Sequence, residues 1–164
     1  MPEHPADDRV ITVGLISDTH GLVRPDVFSA LAGVDFILHA GDVGDGVLDE
    51  LRTIAPTSAV QGNTDPPGTP ELRPEIVREV MGVTIHVSHG HEVGSPTPAK
   101  LLARYPADVL VFGHTHRQLV SRAGGRVVVN PGAAGARRFD LRPSVARMTL
   151  SARGVEVEIV ELNG

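Results

Sequence analysis

The sequence lacks cysteine and tryptophan, and among its 164 residues it has one tyrosine and four phenylalanines. Without cysteine, neither disulfide bonds nor thiolate metal ligands can form. Since 41% of the residues are hydrophobic and only 3% aromatic, the core is predicted to consist of valine, leucine, isoleucine and alanine. A chain of this length suits one domain, expected to span residues 1–164 with residues 1–9 as a flexible tail.

Long apolar runs, a basic surplus and nucleotide-binding motifs are also missing. No run approaches the roughly 20 residues of a membrane span, and the polar start does not resemble a signal peptide, so we expect a soluble cytoplasmic protein. The formal net charge of −5 argues against general nucleic-acid binding, which normally needs a basic surface. The absence of glycine-rich phosphate loops and of a Gly-x-Ser-x-Gly element disfavours nucleotide-driven chemistry and serine catalysis.

Five apolar segments that are typical of strands each end close to side chains able to bind a metal ion. In chain order these side chains are Asp18 and His20, Asp42, Asn63, His89, and His114 and His116. Ligands of open α/β sheets bind beyond the carboxyl ends of the strands, where loops converge. In extended backbone, residues i and i+2 point the same way, so each pair is expected to face one spot. The pattern predicts a metal site.

The remaining segments predict how the strands pair. Near the start of the chain, strands alternate with helices at residues 25–33 and 47–53, which favours parallel pairing. Residues 76–88, 118–130 and 144–160 are predicted to form antiparallel hairpins, and a further helix is predicted to begin at Pro98. Residues 65–74 contain four prolines and are predicted to form a loop long enough to fold over the site.

The set of motifs, taken in order, resembles the calcineurin-like metallophosphoesterase superfamily. These motifs are Asp18-Thr19-His20, Gly41-Asp42-Val43-Gly44-Asp45, Gly62-Asn63-Thr64-Asp65, His89-Gly90-His91 and Gly113-His114-Thr115-His116. The short length and Asn130-Pro131-Gly132 resemble its small bacterial and archaeal phosphodiesterase branch, to which the scaffold subunit of the eukaryotic retromer is also related. The resemblance covers residues 11–138 and implies an α/β fold, a four-layer α/β/β/α sandwich of two mixed sheets.

The resemblance also implies which residues hold metal. Carried over position by position, it puts Asp18, His20 and His116 on a first metal ion. It puts Asn63, His89 and His114 on a second, with Asp42 bridging the two. These nitrogen and oxygen ligands suit divalent ions, Mn²⁺ first, with Ni²⁺, Fe²⁺ or Zn²⁺ as alternatives. The implied reaction is hydrolysis of a small phosphodiester by a hydroxide that bridges the metals. No membrane partner is expected, and a homo-oligomer is possible.

Several residues near the ligands have roles that the sequence leaves open. His91 is a candidate catalytic residue beside Asp42, because an imidazole at the mouth of the site can protonate a leaving group. Many larger superfamily members have a histidine after the metal-binding asparagine, whereas this chain has Thr64, as the small branch does, so solvent is the alternative proton source. His39 is either a packed histidine or a functional one. Asp45 is expected to orient the loop that carries Asp42.

Three functions are compatible with this pattern. A metal-dependent phosphodiesterase is the first; a non-catalytic scaffold of the same fold is the second; a phosphomonoesterase or dinucleoside polyphosphate hydrolase is the third. All seven ligand positions hold residues able to bind metal, whereas a scaffold has no need to retain a costly cluster of charged side chains. The sequence therefore favours an enzyme.

Overall fold

The computed structural model describes residues 9–137 and 140–163, so residues 1–8 of the predicted tail lie outside the described ranges. The elements are β1 Ile11–Ile16, α1 Pro25–Ala30, β2 Phe36–His39, α2 Val47–Arg52, β3 Thr57–Val60, β4 Leu72–Arg73, β5 Ile76–Val80, β6 Val83–Val87, a 3₁₀ turn His91–Val93, α3 Pro98–Arg104, β7 Val109–Val111, β8 Leu119–Ala123, β9 Arg126–Asn130, β10 Ser144–Ser151 and β11 Gly154–Glu161. Among these residues no helix has the length and apolar character needed to cross a membrane. The cytoplasmic location stays a prediction.

The strands form two mixed sheets. The first has the order β11-β10-β1-β2-β3-β4, and the second has the order β5-β6-β7-β9-β8. Strands β1, β2 and β3 are parallel, and so are β6, β7 and β9. Antiparallel pairs β5–β6, β8–β9 and β10–β11 confirm the three predicted hairpins. The carboxyl ends of the parallel strands, which carry the candidate ligands, therefore lie at one edge of each sheet.

Alternating side chains build the four layers. Val13 and Leu15 of β1 pack between the sheets against residues such as Val109 and Val111, while Ile16 points to the outer face of the first sheet. Helices α1 and α2 cover that outer face, and α3 covers the outer face of the second sheet. Each fully buried leucine or valine contributes about 1.5–3 kcal/mol to folding. The predicted α/β/β/α sandwich is confirmed.

Two local expectations were wrong. The proline-rich segment 65–74 is not wholly a loop, because Leu72 and Arg73 form the short strand β4 and extend the first sheet in parallel beside β3. Helix α1 ends at Ala30 rather than near Gly33; the chain then turns, and Gly33 adopts φ +79°. Only the start of α1 was predicted well, since proline at the first helical position has a fixed, compatible φ.

Candidate metal centre

The candidate ligands of both sheets meet around the Asp18 carboxylate. Its Oδ1 lies 3.4 Å from Nε2 of His116, 3.8 Å from Nε2 of His89 and 4.0 Å from Nε2 of His20. Asp18 and His20 follow β1 in the first sheet, whereas His89 and His116 follow β6 and β7 in the second. The two sheets therefore share one site at their common edge.

A second cluster of short distances surrounds Asp42. Its Oδ2 lies 3.2 Å from Nε2 of His89 and 3.8 Å from Nε2 of His20, so this carboxylate faces ligands of both predicted sets. Beside it, Oδ1 of Asn63 lies 3.2 Å from Nδ1 of His114. Two sets of three ligand atoms lie within 4.8 Å of one another, namely Asp18 with His20 and His116, and Asp18 with Asp42 and His89. The structure thus brings all seven predicted residues together.

Left-handed backbone turns, not extended strands, aim the paired ligands. Strand β1 ends at Ile16 and β7 at Val111, before either pair. The candidate ligands with positive φ are Asp18 (54°), His20 (47°), Asp42 (56°), His114 (72°) and His116 (64°). The expectation that extended backbone makes i and i+2 face one spot was therefore wrong in its mechanism, although the side chains do converge. Such conformations cost about 1–3 kcal/mol each and cluster at functional sites.

Glycines leave the space that these carboxylates occupy. A methyl group on Gly62 would overlap the Asp42 amide nitrogen and Oδ1, and one on Gly113 would overlap Oγ of Ser17 and Oδ2 of Asp18. Gly41 is packed in the same way against the His89 ring. The glycine that precedes a candidate ligand in these motifs is required because another ligand lies against its backbone.

Two buried ligand atoms have no hydrogen-bond partner. Asp18 is buried, and its Oδ2 accepts hydrogen bonds from the Ser17 hydroxyl at 2.5 Å and the His114 amide at 3.1 Å, but its Oδ1 has none. Nδ1 of buried His89 donates to the Ala40 carbonyl at 2.8 Å, so Nε2 is the ring nitrogen left to bind a proton or a cation, and it has no hydrogen-bond partner either. An unpaired buried polar atom costs about 1–3 kcal/mol. A divalent cation between Oδ1 of Asp18 and Nε2 of His89 would give both atoms a partner, so the residues present fit a divalent metal ion.

The electrostatics of the cluster also favour a cation. Burial acts to raise the pKa of Asp42, but the His89 imidazole and the Thr64 amide outweigh it and hold that pKa well below the usual range of a carboxyl group. Burial acts to lower the pKa of His89, but the Asp42 and Asp18 carboxylates outweigh it and raise that pKa. The carboxylates therefore attract positive charge to this point.

Asp65 holds the loops that carry the ligands, a role that the sequence analysis missed. Its buried carboxylate accepts hydrogen bonds from the backbone amides of Val43, Gly44 and Gly62, at 2.9–3.3 Å. It thereby ties the turn after β2 to the turn after β3. The expectation that Asp45 orients the Asp42 loop was wrong, because the Asp45 side chain is exposed and Asp65 makes these contacts. In the sequence, the only signal for the role of Asp65 was its position in the motif Gly62-Asn63-Thr64-Asp65.

His39 connects the turns after β1 and β2 from the buried side. Its Nδ1 accepts a hydrogen bond from the Gly41 amide at 3.1 Å, so Nε2 carries the hydrogen and donates to the Thr19 hydroxyl at 3.0 Å. That hydroxyl in turn donates to the Val43 carbonyl at 2.6 Å. Burial lowers the pKa of His39 to about 4, which keeps the ring neutral near pH 7. His39 is thus a packed histidine that positions ligand-bearing turns.

Replacing His39 should destabilise the fold. We expect His39→Ala to lower the free energy of unfolding by about 3 kcal/mol, because it leaves the Gly41 amide unpaired and opens a cavity. Urea unfolding of chelator-treated protein measures this effect. His91→Ala is the control, since His91 is exposed and its loss should change stability by less than about 0.5 kcal/mol. Equal stabilities of the two variants would contradict the role given to His39.

His91 lies beside the cluster and outside both sets of close ligand atoms. It begins the 3₁₀ turn after β6, and its ring centroid is 5.2 Å from that of His89 and 6.2 Å from that of His114. With Asn63 it lines a cavity of about 680 Å³ that opens next to the cluster. His91 is therefore exposed beside the cluster, and its catalytic role stays a prediction.

Both the sequence and the fold of this chain are similar to those of known proteins. Residues 11–153 match the model of the calcineurin-like phosphoesterase superfamily domain. A probable metallophosphoesterase of Methanothermobacter thermautotrophicus is 32% identical over 157 residues, which cover 90% of this chain and 91% of that protein. Entamoeba histolytica Vps29, solved in complex with Zn²⁺, is 27% identical with a TM-score of 0.72, over 93% of this chain and all of that one. An archaeal phosphodiesterase shares the fold, with a TM-score of 0.69 and 21% identity. The match covers 93% of this chain and all of that one.

Proposed function

Because the chain belongs to the calcineurin-like phosphoesterase superfamily, we propose that it is a dinuclear metal-dependent phosphodiesterase that hydrolyses a small phosphodiester. The observation that carries the proposal is the pair of buried, unpartnered ligand atoms, Oδ1 of Asp18 and Nε2 of His89, within 3.8 Å of each other. A protein that never bound a cation would be stabilised by removing such a pair.

In this proposal the seven residues divide between two ions. Asp18, His20 and His116 would hold one ion, and Asn63, His89 and His114 would hold the other. Asp42 would be shared between them. When bound, such ions lower the pKa of a water molecule and neutralise phosphoryl oxygens. The all-nitrogen and oxygen ligand set supports Mn²⁺ first, with Ni²⁺, Fe²⁺ or Zn²⁺ as alternatives.

The chain's own residues orient the centre and the substrate. The Thr64 amide donates to Oδ1 of Asp42 at 2.9 Å, which fixes this carboxylate and leaves Oδ2 facing the histidines. Cleavage breaks a P–O bond, and the departing oxygen needs a proton. His91 is exposed beside the cluster and would deliver that proton from a ring nitrogen.

Hydrolysis of paired substrates tests the proposed function. Protein stripped with chelator and reloaded with Mn²⁺ should cleave bis(p-nitrophenyl) phosphate, and it should cleave p-nitrophenyl phosphate more slowly. The stripped protein should cleave neither. Faster cleavage of the monoester would favour a phosphomonoesterase instead, and metal binding without any hydrolysis would favour a scaffold.

The role of His91 predicts a dependence on the leaving group. We expect His91→Ala to lower kcat/KM by about 10²–10⁴-fold for alkyl phosphodiesters, whose alkoxides need a proton, and by much less for p-nitrophenyl esters. The measurement is the slope of log kcat/KM against leaving-group pKa, which should steepen in the variant. An unchanged slope would mean that solvent supplies the proton.

A scaffold of the same fold is the second candidate. Val77 on the edge strand β5 is 63% exposed, which leaves an apolar side chain where a partner protein could pack. The 27% identity to Entamoeba histolytica Vps29 also supports this candidate. Val77→Asp should leave metal-dependent hydrolysis intact if the chain is an enzyme, and a folded wild-type protein with no hydrolytic activity would favour this candidate.

A further inference from the structure

Two cavities adjoin the candidate metal centre and meet at Asn63. The larger, of about 680 Å³, extends from Asn63 and His91 toward Tyr105. The smaller, of about 380 Å³, extends from Asn63 along His20 and His116. A phosphodiester carries two organic substituents on one phosphorus atom, so a centre between two cavities has room for both. The larger cavity lies in the size range of sites for whole organic ligands.

The carboxylates that line the larger cavity are already bonded within the protein. The Asp65 carboxylate accepts hydrogen bonds from three backbone amides. The Glu92 carboxylate accepts hydrogen bonds from the Gly90 amide and the Tyr105 hydroxyl, both at 2.9 Å. The Glu75 carboxylate lies 2.6 Å from Nε2 of His86. These groups fix the wall of the cavity, and their charges are partly offset by their own donors.

Arg104 is a basic residue on the wall of the larger cavity. Among the described residues that line the cavity it is the only arginine or lysine, and its side chain is exposed. Its Cζ lies 5.5 Å from the ring centroid of Tyr105. Tyr105 is itself held in place, because its ring stacks on His86 at 3.8 Å and its hydroxyl is bonded to Glu92. A fixed aromatic ring therefore presents the guanidinium to the cavity.

We propose that the larger cavity binds a planar, nucleoside-sized substituent of the phosphodiester and that Arg104 is a specificity residue for it. A guanidinium plane stacks on aromatic bases and donates hydrogen bonds to their acceptor atoms. The exposed prolines Pro67 and Pro74 add apolar wall for such a ring. The inference rests on the proposed function only in placing the phosphate at the candidate centre.

Binding of two phosphate monoesters separates the cavity from the centre. Calorimetric titration of the Mn²⁺-loaded protein with thymidine 5′-monophosphate and with methyl phosphate compares ligands that share the phosphate and differ in the substituent. We expect the nucleotide to bind about tenfold more tightly than methyl phosphate, because one good stacking contact contributes about that much affinity. In Arg104→Ala the difference should fall to about threefold or less, with the Kd of methyl phosphate unchanged.

Arg78→Ala is the matched control. Arg78 also lies over an aromatic ring, 4.9 Å from the centroid of Phe36, but it does not line the cavity. It should keep the full preference for the nucleotide. Equal affinities of the two ligands for the wild type, or an equal loss for both ligands in Arg104→Ala, would overturn the assignment of the cavity.

The same protein distinguishes failure of this inference from failure of the proposed function. An Arg104-dependent preference in a protein that does not cleave bis(p-nitrophenyl) phosphate would support the cavity assignment and overturn the phosphodiesterase. Cleavage of that diester without any Arg104-dependent preference would overturn the cavity assignment alone.

Discussion

Asp42→Asn is expected to lower kcat/KM for bis(p-nitrophenyl) phosphate by at least about 10³-fold, the equivalent of several kcal/mol of lost charge stabilisation. Asp42 stays ionised because its pKa lies well below the usual range, and its Oδ2 faces histidines of both predicted sets. Asparagine keeps the shape and can still accept the Thr64 amide, but it removes the negative charge that two cations would share. Metal content, measured on the same sample, should fall with activity.

Asp35→Asn is the matched control for this variant. Asp35 also accepts a backbone amide, that of Thr12 at 2.8 Å, but it lies just before β2, at the opposite end of the strand from Asp42. Its substitution should leave metal content and kcat/KM unchanged. A variant Asp42→Asn with two bound metals and a near-normal rate would contradict the bridging role.

Gly62→Ala is expected to have the second largest effect. Its methyl group would overlap both the amide nitrogen and Oδ1 of Asp42, and backbone atoms cannot move aside as a flexible side chain can. We expect kcat/KM to fall by about 10²-fold or more, since a shift of about 1 Å in a positioned group has that effect. The free energy of unfolding should fall by about 1–3 kcal/mol through overpacking.

Gly14→Ala separates the loss of geometry from the loss of stability. Gly14 lies within β1, and the atoms nearest to its added methyl group would be side-chain atoms of Leu31 and Ile37, at 3.2 Å. This variant should lose some stability and keep its metal and its rate. If Gly62→Ala also kept both, then the contact between Gly62 and Asp42 would not be required for the site.

Most of the fold could be predicted because its signals are local. Apolar runs marked the central strands, Pro25 and Pro98 marked helix starts, and alternation such as Val155 to Ile159 marked a hairpin strand. The pairing of β1 with β10 could not be predicted from periodicity, because it joins segments more than 130 residues apart. Strand β4 was missed because two paired residues among prolines leave no pattern.

The candidate site was predicted in its residues and not in its local geometry. The motif order identified all seven residues that the structure brings together. Positive φ at positions such as Asp18 and His116 could not be predicted, because non-glycine residues adopt it only when the surrounding structure imposes it. The role of Asp65 was hidden for a related reason, since its partners Val43 and Gly44 lie in the turn after another strand. The role of His39 stayed open because its Thr19 partner lies 20 residues away along the chain.

Anomalous diffraction from crystals soaked in Mn²⁺ tests the dinuclear centre most directly. The account predicts two peaks about 3.5–4 Å apart, the usual separation in two-metal sites. Asp18, His20 and His116 should lie beside one peak, Asn63, His89 and His114 beside the other, and Asp42 between them. The absence of any peak near Asp42, or a single peak at full occupancy under saturating Mn²⁺, would contradict the account.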